Sequence, residues 1–119
     1  MRDYNMPNSI RQMVQDIQNE VAKPDLQPDR AAELLVRLSA LTGNISQEVL
    51  DKDMAYNQVL LFWLENEAKA NRAKVHAECT PEYRAKIEAR NTRELATEII
   101  RALKYLLKSK EQEMREARY

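Results

Sequence analysis

A chain of 119 residues suits one domain, and 44% hydrophobic with 32% charged residues allows a packed core under a heavily charged surface. One Gly and four Pro are too few for most β-sheets or for a glycine-rich phosphate loop, so the composition points to an all-α protein. Formal net charge is zero, with 19 Lys/Arg against 19 Asp/Glu, and the single Cys excludes an internal disulfide.

The sequence predicts five helices. Pro7, then Ser9 with Gln12 three residues on, form a capping-box pattern that opens a first helix running to about Ala22. Ile10, Met13, Val14, Ile17 and Val21 supply its apolar side. Residues 23–28, with Pro24 and Pro28, read as a linker, because two prolines cannot both sit inside a helix. Pro28 opens the second helix, and Leu34, Leu35, Leu38 and Leu41 form its buried stripe. Gly43 is expected to end it as a C-cap.

Asn44 with Gln47 is expected to cap a third, central helix over about 45–79. At 1.5 Å per residue that helix would be about 50 Å long. Thr80-Pro81-Glu82 is a strong restart, with an N-cap, a proline at the first helical position and an acid in the first turn. A short fourth helix is expected over about 81–90. Asn91 with Glu94 then opens a C-terminal helix over about 92–116, packed antiparallel against the central one. Residues 1–6 and 117–119 are expected to fray around this single helical bundle.

At 100° per residue, Leu50, Met54, Asn57, Leu61, Leu64, Ala68, Asn71, Val75 and Cys79 share one face of the central helix. Their spacing alternates four and three through Val75, a heptad seam. Ala55, Val59, Phe62, Asn66, Ala70, Ala73 and Ala77 share a second face, so the helix is expected to be buried on two sides. Its bulky first half gives way at E-N-E-A-K-A-N-R-A-K (65–74) to alanines, which let a neighbour approach closely. Within the seam, Asn57 and Asn71 are candidates for fixing register or oligomeric state, and a ligand or partner contact is the alternative. Tyr56 and Trp63 lie between the two faces and are expected in the core or an interface.

Charge is distributed unevenly along the chain. Residues 1–68 hold 6 Lys/Arg and 11 Asp/Glu, whereas residues 69–119 hold 13 and 8. An anionic partner for the C-terminal half would explain this, and so would an acidic half folded onto a basic one. Arg93, Arg101, Lys104, Lys108 and Arg115 fall within an arc of about 80° on the C-terminal helix, interrupted by Glu111. Its apolar side is Leu95, Ala96, Ile99, Ile100, Leu103, Leu106, Leu107 and Met114. Lys69, Arg72 and His76 share a side of the central helix, and Arg84, Lys86 and Arg90 add charge from the fourth. Aligned, these residues would form a stripe able to follow a phosphate backbone or to occupy an acidic protein surface. Tyr83 and Tyr105 are candidates to stack on bases.

Chemistry is conspicuous by its scarcity. His76-x-x-Cys79 puts two soft ligands on one helical side, but a structural zinc site needs four and no second pair exists. One histidine also excludes a di-metal site built from two Glu-x-x-His motifs. Nothing orients a base beside Cys79, so neither catalysis, a cofactor nor a small-molecule substrate is expected. No stretch has transmembrane length and no apolar signal core is present, which predicts a cytoplasmic protein without a membrane partner.

Five stretches carry a resemblance: L-S-A-L-T-G-N (38–44), A-Y-N-Q-V-L (55–60), A-N-R-A-K-V-H-A-E (70–78), T-P-E-Y-R-A-K (80–86) and E-I-I-R-A-L-K-Y-L-L-K-S-K-E (98–111). In these the chain resembles small, uncharacterised helical proteins of tailed bacteriophages, often encoded near replication and recombination genes. The resemblance implies a phage setting in the host cytoplasm, either in DNA metabolism or in interference with a host system. Three functions are therefore expected to compete. The first is a non-enzymatic nucleic-acid-binding accessory protein. The second is an inhibitor or adaptor bound to a host nuclease, polymerase or CRISPR effector. The third is a self-assembling helical protein with Asn57 and Asn71 in its interface.

Overall fold

A computed structural model of the chain describes residues 9–117, and these are all-helical, with four helices in place of five. They are α1 (Ile10–Val21), α2 (Pro28–Asn66), α3 (Ala70–Glu78) and α4 (Pro81–Ala117). Pro7 and the expected fraying of residues 1–6, 118 and 119 lie outside the described residues. Residue 117 still closes α4. No helix is long and apolar enough to cross a membrane among the described residues.

The chain forms two compact units. One comprises residues up to Thr42 together with those from Glu94 on, and the other spans Gly43–Arg93. In the first unit, Ser9 Oγ accepts from the Gln12 N–H at 3.1 Å, as the capping motif predicts. The Gln12 side chain does not return the bond but donates to Asp16 at 2.8 Å, so only half of the capping box forms. Val14 and Ile17 of α1, Ala31, Leu34 and Leu38 of α2, and Ala96, Ile99 and Leu103 of α4 make this unit's core. Arg30 clamps the α1–α2 turn by pairing through both Nε and Nη2 with Glu20, the latter at 2.9 Å. Those hydrogen bonds hold the Glu20 carboxyl below its ordinary range and push the Arg30 guanidinium up.

Two predicted boundaries vanish, each because an apolar stripe outweighs a local signal, and one break appears where none is expected. Gly43 is not a C-cap: the described residues include no positive φ, and α2 runs straight through it. Leu34, Leu38, Leu41, Ile45 and Val49 continue one buried or half-buried stripe across the glycine, so nothing stops the helix there. Asn44 and Gln47 are likewise interior residues, and Gln47 bonds Asp51 one turn on at 2.9 Å. Asn91 does not cap a new helix either. Ala89, Thr92, Ala96, Ile99 and Leu103 carry a continuous buried stripe past it, and the Thr92 hydroxyl donates back to the Glu88 carbonyl at 2.9 Å.

The third change is a break where unbroken helix is expected. Glu67, Ala68 and Lys69 separate α2 from α3, and Lys69 is extended (φ −113°, ψ 125°) with no side-chain cap bond. The composition change at 65–74 therefore does mark a helix end. Ala and Lys are good helix formers, so the cause is tertiary. The Trp63 and His76 rings stack with centroids 4.3 Å apart. In one straight helix, 13 residues would separate them by about 20 Å along the axis. Folding back buries Ala73 and Ala77 completely, and their small side chains permit the close approach that the sequence suggests. Thr80 then restarts the chain as predicted, its Oγ1 accepting from the Tyr83 N–H at 3.3 Å ahead of Pro81.

Candidate interaction site

Within the Gly43–Arg93 unit, α2 offers two apolar stripes and buries one. Ile45, Val49 and Tyr56 are buried and Trp63 half-buried, in a repeat of four, seven and seven residues. Trp63 meets α3 through His76, and Tyr56 meets the start of α4. Tyr56 packs on Tyr83 (centroids 5.3 Å, rings tilted at 57°), the Lys86 ammonium sits 4.3 Å over the Tyr56 ring, and Arg90 pairs with Asp53. Asp53 meets Arg90 while Tyr56 meets the earlier Tyr83, so these segments of α2 and α4 run antiparallel. Burial pushes the Tyr56 phenol up, with Glu78 and Tyr83 adding to the effect.

The second stripe is the predicted seam, and it faces solvent. Leu50 is 52% exposed, Met54 54%, Leu61 56% and Leu64 44%, and Asn57 between them is exposed as well. The two stripes lie roughly 130° apart around the helix. The stripe that carries Tyr56 and Trp63, with its ring partners, faces the core instead. Beyond Asn66 the predicted faces lose their phase because the helix ends. Ala68, Asn71, Val75 and Cys79 are exposed, and Asn71 belongs to α3, where its Oδ1 accepts from the Arg72 N–H at 2.9 Å. On the predicted second face only Ala73 and Ala77 are buried. Ala55 and Val59 are half-buried, while Phe62, Asn66 and Ala70 are exposed.

The basic residues divide by environment. Arg90 donates to Asp53 through Nε at 3.2 Å and Nη2 at 2.8 Å. That bidentate bond holds the Asp53 carboxyl below its usual range and raises Arg90. Lys86 is committed to Tyr56, and Tyr83 is half-buried against the same ring, so neither is displayed as expected. Arg93 is exposed and engaged within the chain. Lys69, Arg72 and Arg84 are exposed, with no ion pair within 4 Å among the described residues. In the other unit, Arg101 pairs with Glu98 at 3.5 Å and Arg115 with Glu111 at 2.6 Å. Lys104, Lys108 and the 75%-exposed Tyr105 stand in solvent.

The charge gradient cancels inside one unit. Residues 43–68 hold 1 Lys/Arg and 5 Asp/Glu, and residues 69–93 hold 7 and 3, which gives 8 of each over the unit. The Asp53–Arg90 bridge is where the acidic helix meets the basic segment. Sequence reasoning passed over Asp53 as an anchor, although the period of Ile45, Val49, Tyr56 and Trp63 carries the signal that places it beside the core.

His76 stacks on Trp63 and lies 3.9 Å from Glu67. Among the described residues no group of three or more His, Cys, Asp or Glu is arranged to hold a metal ion. A shallow hollow of about 200 Å³ at the α1–α2 turn is lined by Glu20, Lys23, Asp25, Leu26, Gln27 and Arg30, and its Glu20 and Arg30 already pair with each other. No protein-family model, curated protein or solved structure matches the chain.

Proposed function

We propose that the protein is a non-enzymatic helical interaction protein that engages another polypeptide through the exposed apolar stripe of α2. The carrying observation is the row Leu50, Met54, Leu61 and Leu64, four large side chains about half exposed on one face. The row is comparable in size to the largest apolar patch of a typical monomer, and such patches are often functional. Full burial of such a side chain is worth about 1.5–3 kcal/mol, so completing the half that is missing yields about 1 kcal/mol each. The resemblance to small phage proteins fits an adaptor or inhibitor of this kind. The test is affinity purification of wild type and Leu61→Asp/Leu64→Asp from the native host. A stoichiometric polypeptide, a second copy included, should be lost from the variant while its helicity persists. Equal recovery from both proteins would sink the proposal.

One observation favours a second reading, binding of nucleic acid. Lys69, Arg72 and Arg84 lie in the basic segment and are exposed without an ion pair among the described residues, as are Lys104 and Lys108 on α4. Binding through them would weaken steeply with salt, because each phosphate contact releases counterions. A low-salt gel shift with single- and double-stranded DNA tests it. Retardation should vanish in Lys69→Glu/Arg72→Glu/Arg84→Glu, and absence of a shift for the wild type would remove this reading.

A further inference from the structure

The stripe on α2 also limits what can cover it. We infer that its occupant is a second copy of this chain, paired through α2 in a parallel, in-register arrangement. The inference rests on the interaction reading above and adds the identity and orientation of the partner. Leu50, Met54, Asn57, Leu61 and Leu64 alternate four and three, the repeat that lets a helix interdigitate with a copy of itself. The helix they lie on is already formed and anchored by its other stripe, so pairing does not have to order it.

Asn57 identifies the partner. It sits mid-stripe, and its amide carries both donors and an acceptor. A purely apolar partner would desolvate that amide without replacing its hydrogen bonds with water. Two copies in register set one Asn57 against the other, donor to acceptor, which is how a buried asparagine fixes register between paired helices.

Charge selects the orientation. One edge of the stripe is formed by Asp51, Gln58 and Glu65. An antiparallel pair centred on Asn57 would set Asp51 against Glu65 of the other copy, twice by symmetry. A parallel pair instead faces that edge with the opposite one, where Ser46, Asp53 and Leu60 lie, and Asp53 is already neutralised by Arg90. Area sets the strength. A half-exposed side chain of this size offers on the order of 50–100 Å², so the stripe supplies about 200–400 Å² of apolar surface per copy. That is below the roughly 450 Å² apolar share of a standard 800 Å² half-interface, which makes the pair weak and concentration-dependent.

Sedimentation velocity on the full-length protein, from about 10 to 500 μM, spans the range in which such a weak pair assembles. Wild type should move toward dimer mass as concentration rises. Leu61→Asp should need at least tenfold higher concentration, with an unchanged circular dichroism spectrum and melt as evidence of folding. In a Cys79→Ser background, Leu64→Cys should form an intermolecular disulfide with itself under mild oxidation. Mixed Leu50→Cys and Leu64→Cys proteins linking only to each other would overturn the parallel arrangement. A wild type that stays monomeric, or a Leu61→Asp variant that still dimerises, would overturn the inference. Carbene labelling of monomeric wild type with a photolysed diazirine separates the two levels. Labelled Leu61 refutes the second copy alone and leaves the face open to another polypeptide. Unlabelled Leu61 refutes the interaction reading as well.

Discussion

Replacing Gly43 by Ala distinguishes one continuous 39-residue α2 from two shorter helices by the sign of the effect. Gly43 lies inside the helix without a positive φ, is exposed, and a Cβ built on it meets no heavy atom within 4 Å. Alanine there gives up no packing and gains the full difference in helix propensity, about 0.8–1.0 kcal/mol. With a urea slope of about 1–3 kcal/mol/M, the unfolding midpoint should rise by roughly 0.3–1 M. The melting temperature should rise by about 3–6 °C for a chain of this size. Had Gly43 ended a helix in the left-handed region, alanine would instead cost about 1 kcal/mol or more. Urea titration followed by far-ultraviolet circular dichroism reads the difference directly. A midpoint that falls or stays put, with the slope unchanged, would refute a continuous helix at this point.

Three further tests examine the packing. The Asp53 carboxyl is held low by Arg90, so its contribution is present above the unfolded pKa of about 4 and disappears as pH falls through the lower folded value. The stability gap between wild type and Asp53→Asn should accordingly be constant from pH 7 to about 5 and close below about 4; a gap independent of pH would remove the bridge from the account. Thr80→Ala deletes the cap on the Tyr83 N–H and should lower stability by about 1 kcal/mol in thermal melts, with Thr80→Ser recovering most of it. Leu103→Ala empties a fully buried site and should cost about 3–5 kcal/mol, whereas Leu61→Ala, measured on dilute protein, should cost under about 0.5 kcal/mol. Comparable losses from the two would mean that the faces have been assigned the wrong way round.

The all-helical class, the start of α1 at Ser9 and the restart at Thr80-Pro81 are legible in the sequence because each depends on local chemistry: propensity, a hydroxyl acceptor, a proline with no N–H to lose. The boundaries at Gly43 and Asn91 are misread because residues suited to a cap are also tolerated on the exposed side of a helix, and the buried stripe decides which role they take. The break at 67–69 falls where the composition changes, yet alanine and lysine favour helix, so the residues themselves do not announce it; what accompanies it is the return of His76 onto Trp63. The heptad row Leu50–Leu64 is visible from spacing, but spacing cannot say whether an apolar row faces in or out when a helix carries two of them. Among the basic residues, Lys69, Arg72, Arg84, Lys104 and Lys108 are exposed as a charged face requires, while Lys86 and Arg90 are drawn toward the acidic segment they complement.

The three residues between α2 and α3 also determine how the chain can be cut. Lys69 is exposed in extended backbone, a ready tryptic site between two helices. Cleavage there yields two pieces, each carrying one long helix, yet the compact units follow a different partition: Gly43–Arg93 is inserted between the two ends of the other unit. Each unit draws residues from both pieces, so neither fragment inherits a whole core. The nicked protein is thus a pair of complementary halves, held together or lost together, and single-cut truncation cannot dissect it.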